Sequence, residues 1–239
     1  MFILLIGFAS GSLISLLFIN PHEIDHAEAR ELPSEQNGVK PLPLIDLFKK
    51  KSILFFNFAL ILYYIANGAQ MTLIGQVLAA KVPIYGALFI AICMIVAEIT
   101  MIFVAFVMSR IVYRFNRKTF FLTAFFMLPI RAILFTLVES PFLLILIQVL
   151  DGIAAGILGV IGIVINSDLA VNTGRFNFLQ SVGSMSVSMG ETLSQLFAGF
   201  VAVSFGFNMS FYALALVAFI GILFFTFLMP ETKPKNLTD

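Results

Sequence analysis

The chain predicts an all-α, polytopic transmembrane helix bundle, and three features predict it. Of its 239 residues, 60% are hydrophobic and 11% are charged, against about 45–50% and about 25% in a soluble domain. The apolar residues fall in runs of the length that crosses a bilayer, about 20 residues for roughly 30 Å of hydrocarbon. Lys and Arg gather in alternate connections between those runs, as in a membrane protein of fixed orientation. The 28 phenylalanines without a tryptophan suit lipid-facing helices. Tyr63, Tyr64, Tyr85, Tyr113 and Tyr212 are left to anchor the interfaces.

Seven runs qualify in order: Phe2–Ile19, Ile53–Ala79, Ile84–Met108, Phe120–Val138, Phe142–Ile165, Phe176–Phe205 and Met209–Met229. The sixth is weakly apolar at its start, so its first turns are expected at the interface. Short links at Ala80–Pro83, Glu139–Pro141 and Phe205–Asn208 lie on one side. The other side has the long segment Asn20–Lys51, the loop Ser109–Thr119, the loop Asn166–Arg175 and the tail from Pro230. All 14 Lys and Arg except Lys81 and Arg131 fall on that second side. The positive-inside rule therefore makes it cytoplasmic, with the C-terminus inside and Met1 outside, in a multi-pass cell-membrane protein.

Residues 1–20 thus form a membrane helix, 21–51 a cytoplasmic linker, 52–230 a six-helix unit and 231–239 a cytoplasmic tail. The first run has no basic stretch before it and does not read as a signal peptide. It reads as a helix entered partway, in a chain that lacks a preceding part. The linker carries Pro21, Pro33, Pro41 and Pro43 and is acidic first, basic later, the composition of a flexible connection. Leu42–Phe48 is expected as a short interfacial helix.

Within the linker, His22-Glu23-Ile24-Asp25-His26 matches H-E-x-x-H. On a helix this pattern holds zinc with the glutamate as general base. An intramembrane metalloprotease is the alternative it raises. Against it, Pro21 opens the segment and the chain has no other histidine to serve as a third ligand. No metal, cofactor or nucleic-acid partner is expected. The lone Cys93 allows no disulfide within the chain. No P-loop is present, so ATP drive from within this chain is not expected.

Charges at bilayer depth cost about 2.5–3.5 kcal/mol on insertion scales, so they face cavities or partners. Glu98, Asp151, Glu191 and Arg131 are such charges. Asp151 is either a substrate or proton group or a packing carboxylate bonded to Arg131 or backbone. Glu98 and Glu191 lean to function, as acids kept neutral by desolvation and suited to proton coupling. Arg131 either snorkels to the outer interface or pairs with an acid. Tyr63, Asn67 and Gln70 share one helical face, extended by Gln76, which lines a pathway or bonds between helices. Gly152, Gly156, Gly159 and Gly162 predict close helix packing in the fifth run. Ser181, Ser184, Ser188 and Gly199 continue that small-residue theme in the sixth.

Ser109-Arg110-Ile111-Val112-Tyr113-Arg114-Phe115-Asn116-Arg117-Lys118 resembles the G-x-L-a-D-r-x-G-r-k loop of the major facilitator superfamily. It departs at Ser109, Tyr113 and Asn116. Ile147–Gly152 looks like helix ten of bacterial members, Thr173–Gln180 like the entry to helix eleven, and Met229-Pro230-Glu231-Thr232-Lys233 like the ending after helix twelve. The resemblance covers the whole chain, with the first run as helix six. It implies the C-terminal half of a twelve-helix secondary transporter working by alternating access on a small solute, with this chain expected to be an incomplete half-transporter, such as a fragment of a disrupted gene, or a working half that needs a partner.

On that resemblance, Asn67, Gln70 and Asp151 line the cavity, with Glu98 and Glu191 as further coupling candidates. Arg110, Arg114, Arg117 and Lys118 form the cytoplasmic gate loop. Asp168, Arg175, Asn177 and Gln180 stand at the helix-eleven entry. Partners are the bilayer, the solute, and either a separate N-terminal half or a second copy in a homodimer. A membrane scaffold or assembly subunit, in which the acids are dispensable, is a further alternative.

Overall fold

A computed structural model of the chain describes residues 10–11, 41–81 and 86–233. The first predicted span and the His22–His26 motif lie outside the described residues, apart from a helical Ser10–Gly11. The elements are α1 (Leu44–Lys49), α2 (Lys51–Asn67), α3 (Gln70–Lys81), α4 (Gly86–Ile111), α5 (Arg117–Leu137), α6 (Pro141–Ala170), α7 (Phe176–Phe205) and α8 (Phe207–Leu228).

Five stretches are long and apolar enough to cross a membrane: α2 with α3, α4, α5, α6 and α8. α7 is as long as α6, at 30 residues. It stays outside that set because Ser181, Ser184, Ser186, Ser188, Glu191, Ser194 and Gln195 dilute it.

Local signals set the ends. Pro141 opens α6 at a position where its missing N–H is no loss. Gly206 separates α7 from α8 at φ +91°, a conformation open to glycine. Pro129 sits inside α5 and removes one rung of its ladder.

The helices pack around two apolar cores. One lies toward the end that carries the Ser109–Thr119 loop, called here the basic end. It joins Phe56, Tyr63, Phe121, Phe125, Ile161 and Phe225, with Phe121 stacked on Phe225 at 4.2 Å. The second lies toward the opposite end, around Leu73, Ile74, Phe135, Leu144 and Phe211. α1 lies across the basic end, with Leu47 buried against Ile53, Ala170 and Leu179.

α2 packs on α7 and α8, α5 on α6 and α8, and α4 on α6 and α3. α4 is the least covered: Gly86, Cys93 and Met108 are its only buried residues. It is held where Gly152 and Gly156 of α6 admit it. A Cβ on Gly152 would collide with the Ala97 carbonyl oxygen and come within 2.5 Å of Thr100 Cβ.

Two of the predicted small-residue faces are corrected. Gly159 and Gly162 meet nothing within 4 Å, so only Gly152 and Gly156 serve packing. In α7, Ser181, Ser184 and Ser188 are exposed and Gly199 meets no neighbour. The packed stripe is Gly183, Ser186, Gly190, Ser194 and Ala198, near one turn apart and so on one side of the helix.

The second predicted span is not one continuous helix. It breaks at Gly68–Ala69, between α2 and α3.

Candidate functional site

The break brings a polar layer together at mid-height. Asn67 ends α2, Gln70 begins α3, and both turn toward Arg131 of α5. Arg131 Nη2 donates to Asn67 Oδ1 at 2.7 Å, and its Nε donates to Gln70 Oε1 at 2.9 Å. Its Nη1 makes an ion pair with Asp151 Oδ1 of α6. The guanidinium lies 5.8 Å from the Phe135 ring. Gln70 Nε2 is tied to Ala66 O at 2.8 Å, which fixes the amide so that its oxygen faces the arginine.

Arg131 therefore does not snorkel: its side chain is 2% exposed, while that of Asp151 is 22% exposed. A fully buried cation held by a carboxylate that reaches the surface presents one accessible charge at the site. The arginine's two amide acceptors, Asn67 and Gln70, do not depend on that ion pair.

Glu98 and Glu191 are exposed, and packing places both near the same height. Glu98 follows Ala97, which meets Gly152 beside Asp151. The Glu191 Cα lies 3.1 Å from where a Cβ on Gly68 would stand. Tyr63 is not on the site's surface: it is 1% exposed and packs edge-on to Phe125. Gln76 is exposed and lines a groove between α3 and α4.

Between this layer and the basic end lies a cavity of about 190 Å3 among α2, α6 and α7, lined by none of the four layer residues. Phe56, Tyr64, Gly159, Gly162, Asn166 and Gln180 are among its walls. The two open glycines keep the α6 side of the cavity clear. Asn166 Nδ2 donates to Gln180 Oε1 at 2.9 Å across it. A second cavity, about 450 Å3, opens at the opposite end, where Glu139 and Asn208 are among the lining residues.

At the basic end, Arg117 is buried and pairs with Asp168 at 3.2 Å. Its Nη1 also donates to Val112 O at 2.6 Å, and its guanidinium lies 5.5 Å from the Tyr113 ring. α5 has no side-chain cap of its own. Glu231 supplies one from beyond α8, accepting from the backbone N–H of Arg117 at 3.0 Å and of Lys118 at 3.2 Å. Lys118 returns the arrangement: its Nζ donates to Thr226 O and Met229 O, the free carbonyls that end α8. Thr232 adds a bond to Asp168 at 3.3 Å. A carboxylate at a helix N-terminus and an ammonium at a C-terminus both match the helix dipole.

Arg110 lies over the Phe106 ring, and the Arg114 carbonyl receives Lys233 Nζ at 3.4 Å. Arg175 Nε donates to Leu42 O at 3.1 Å, holding the segment before α1 to the α6–α7 loop. Asn177 is exposed near the start of α7. Glu231, Thr232, Ser194 and Gln195 were not among the sequence candidates. For Glu231 and Thr232 the sequence signal is only the Met229–Lys233 ending, and for Ser194 and Gln195 only the polar run in α7.

An all-helical bundle with apolar spans and a buried arginine paired to a partly exposed acid defines a polytopic membrane protein of the helical class. A family model for the Major Facilitator Superfamily matches residues 56–239. Over 238 residues the chain is 31% identical to an uncharacterized MFS-type transporter of Mycobacterium tuberculosis (strain CDC 1551 / Oshkosh), covering 99% of this chain and 57% of that protein. A protein of the same description from strain ATCC 25618 / H37Rv matches equally. The chain belongs to the Major Facilitator Superfamily, and it spans a little over half the length of these curated relatives.

Proposed function

We propose that this chain supplies the C-terminal half of a secondary active transporter for a small solute, with the polar layer as its share of the translocation path. The carrying observation is the pairing of buried Arg131 with partly exposed Asp151 between Asn67 and Gln70. A fixed buried cation keeps an accessible carboxylate in a membrane where such a charge is otherwise costly. Glu98 and Glu191, exposed near the same height, face either the solute path or the other half of the transporter. Movement of solute is coupled to a proton or ion gradient through one of these three acids.

The basic end is cytoplasmic in this reading. The Arg117, Asp168, Lys118 and Glu231 lattice ties α5, α6 and α8 together there, and the cavity at Asn166 and Gln180 is the inner mouth. The other half comes from a preceding segment, a separate chain or a second copy. Family membership favours transport over peptide hydrolysis by the His22–His26 motif. Removal of the acids separates transport from a scaffold role. Glu98→Gln, Asp151→Asn and Glu191→Gln are introduced singly into the full transporter and gradient-driven uptake or efflux is followed. At least one variant loses transport at normal protein level; unchanged transport in all three overturns the proposal.

A further inference from the structure

The break between α2 and α3 has a specific cause. Ser194 of α7 is fully buried and its hydroxyl sits inside the helix ladder. Its Oγ donates to Ile65 O at 2.6 Å and accepts from the Ala69 N–H at 2.8 Å. Ile65 O and Ala69 N–H are four residues apart, the pair an unbroken α-helix would join directly. One hydroxyl has one donor and acceptor lone pairs, so it bridges both groups and leaves neither orphaned. A side chain inserted in this way is a recognised cause of a helix bend.

The next residue completes the junction. Gln195 Nε2 donates to Gly68 O at 2.9 Å and to Thr72 Oγ1 at 3.1 Å. Gly68 is needed for the approach: a Cβ there would stand 3.1 Å from both Glu191 Cα and Ser194 Cβ. Gly190 plays the same part on α7, where a Cβ would fall 2.6 Å from Tyr64 Cβ.

Asn67 and Gln70 straddle this junction, and both bond Arg131. We propose that Ser194 is a positioning residue. Its hydroxyl holds the α2–α3 break across which Asn67 Oδ1 and Gln70 Oε1 reach Arg131, and so couples the placement of α7 to the Arg131–Asp151 pair. When α7 moves away, the hydroxyl leaves the ladder, Ile65 O and Ala69 N–H rejoin, and the two amides turn relative to each other. The arginine then loses an acceptor and leans further on Asp151. The role in transport rests on the proposed site; the coupling itself does not, and is measured without transport.

The test is a double-mutant cycle on the thermal unfolding of the full chain in detergent, followed with a thiol-reactive dye on buried Cys93. Ser194→Ala and Asn67→Ala are made singly and together. If Ser194 acts through Asn67, the double variant's fall in Tm is short of the summed single falls by about 3 °C or more. Ser186 is the control, because it is also buried on α7 and bonds α2, but at Asn57, about 15 Å along the helix from Asn67. Ser186→Ala with Asn67→Ala is expected to add. Where Ser194→Ala does not accumulate, Ser194→Cys carries the same cycle, its thiol being a weaker donor and acceptor, with unfolding followed by circular dichroism for every member of that cycle because the new thiol would also take the dye. In addition, the Ala69 amide exchanges at a changed rate in the Ser194 variant and not in the Ser186 variant. Additivity of Ser194 with Asn67, or coupling of the same size for Ser186, overturns the proposal. Loss of transport in none of the acid variants, with the cycle still coupled, overturns the transport reading alone.

Discussion

Asp151→Asn removes the counter-charge of a cation that is 2% exposed and leaves its shape almost unchanged. Breaking a buried ion pair by deleting one partner costs about 3–5 kcal/mol, because the remaining charge stays desolvated. Two features reduce that here. Asp151 is 22% exposed, so the pair is only partly enclosed by the protein, and Arg131 retains the oxygens of Asn67 and Gln70. The expected cost is about 2–3 kcal/mol, or a fall in Tm of roughly 5–10 °C for a chain of this size.

The chain has no tryptophan and one cysteine, Cys93, which is buried. A thiol-reactive dye therefore reads unfolding directly. The diagnostic comparison is R131M/D151N. With the cation gone as well, no charge is left unpaired, and the double variant is expected to melt above Asp151→Asn despite carrying one more substitution. The two amides then lack their donor, which costs roughly 1 kcal/mol each and keeps the double variant below the wild type. A double variant less stable than Asp151→Asn, or an Asp151→Asn protein as stable as wild type, refutes the ion-pair account of the site.

Three further outcomes are expected. Gly152→Ala lowers stability by about 1–3 kcal/mol through overpacking against Ala97 and Thr100, whereas Gly159→Ala, with open space at its Cβ position, is neutral or gains up to about 1 kcal/mol from helix propensity; parallel melts compare them. Glu231→Ala uncaps α5 and costs about 1 kcal/mol, and trypsin cuts at Lys233 faster in that variant than in the wild type. Arg175→Ala releases Leu42 from the α6–α7 loop and speeds tryptic cleavage at Lys49–Lys51, with little change in the melting of the bundle.

Element positions were readable because lipid imposes a length on apolar runs, and α4, α5, α7 and α8 lie within three residues of the predicted ends. α6 runs on through Asn166, Asp168 and Ala170, because Asp168 finds Arg117 there and a polar helix end is no longer solvated alone. The break at Gly68–Ala69 was not readable, since its cause lies 125 residues away in Ser194. The cap on α5 was hidden for the same reason: its N-terminus lacks a local capping bond, and Glu231 lies 114 residues on from Arg117. Arg131 and Asp151 were visible as costly residues, but only the bundle shows that each offsets the other. The glycine and serine faces misled because spacing alone does not say which side of a helix meets a neighbour; in α7 the packed stripe includes Ser186 and Ser194, interleaved with the exposed serines.

The sparse covering of α4 bears on how the protein is built. Apart from Glu98, this helix is apolar through most of its length and buries few side chains in the bundle, Cys93 and Met108 among them, so most of its surface suits lipid tails as soon as it leaves the insertion machinery. α6 carries Gln148, Asp151 and Asn166 and has more need of neighbours. In a two-stage assembly, with helices inserted first and packed afterwards, the notch at Gly152 and Gly156 is the contact through which α6 would recruit α4.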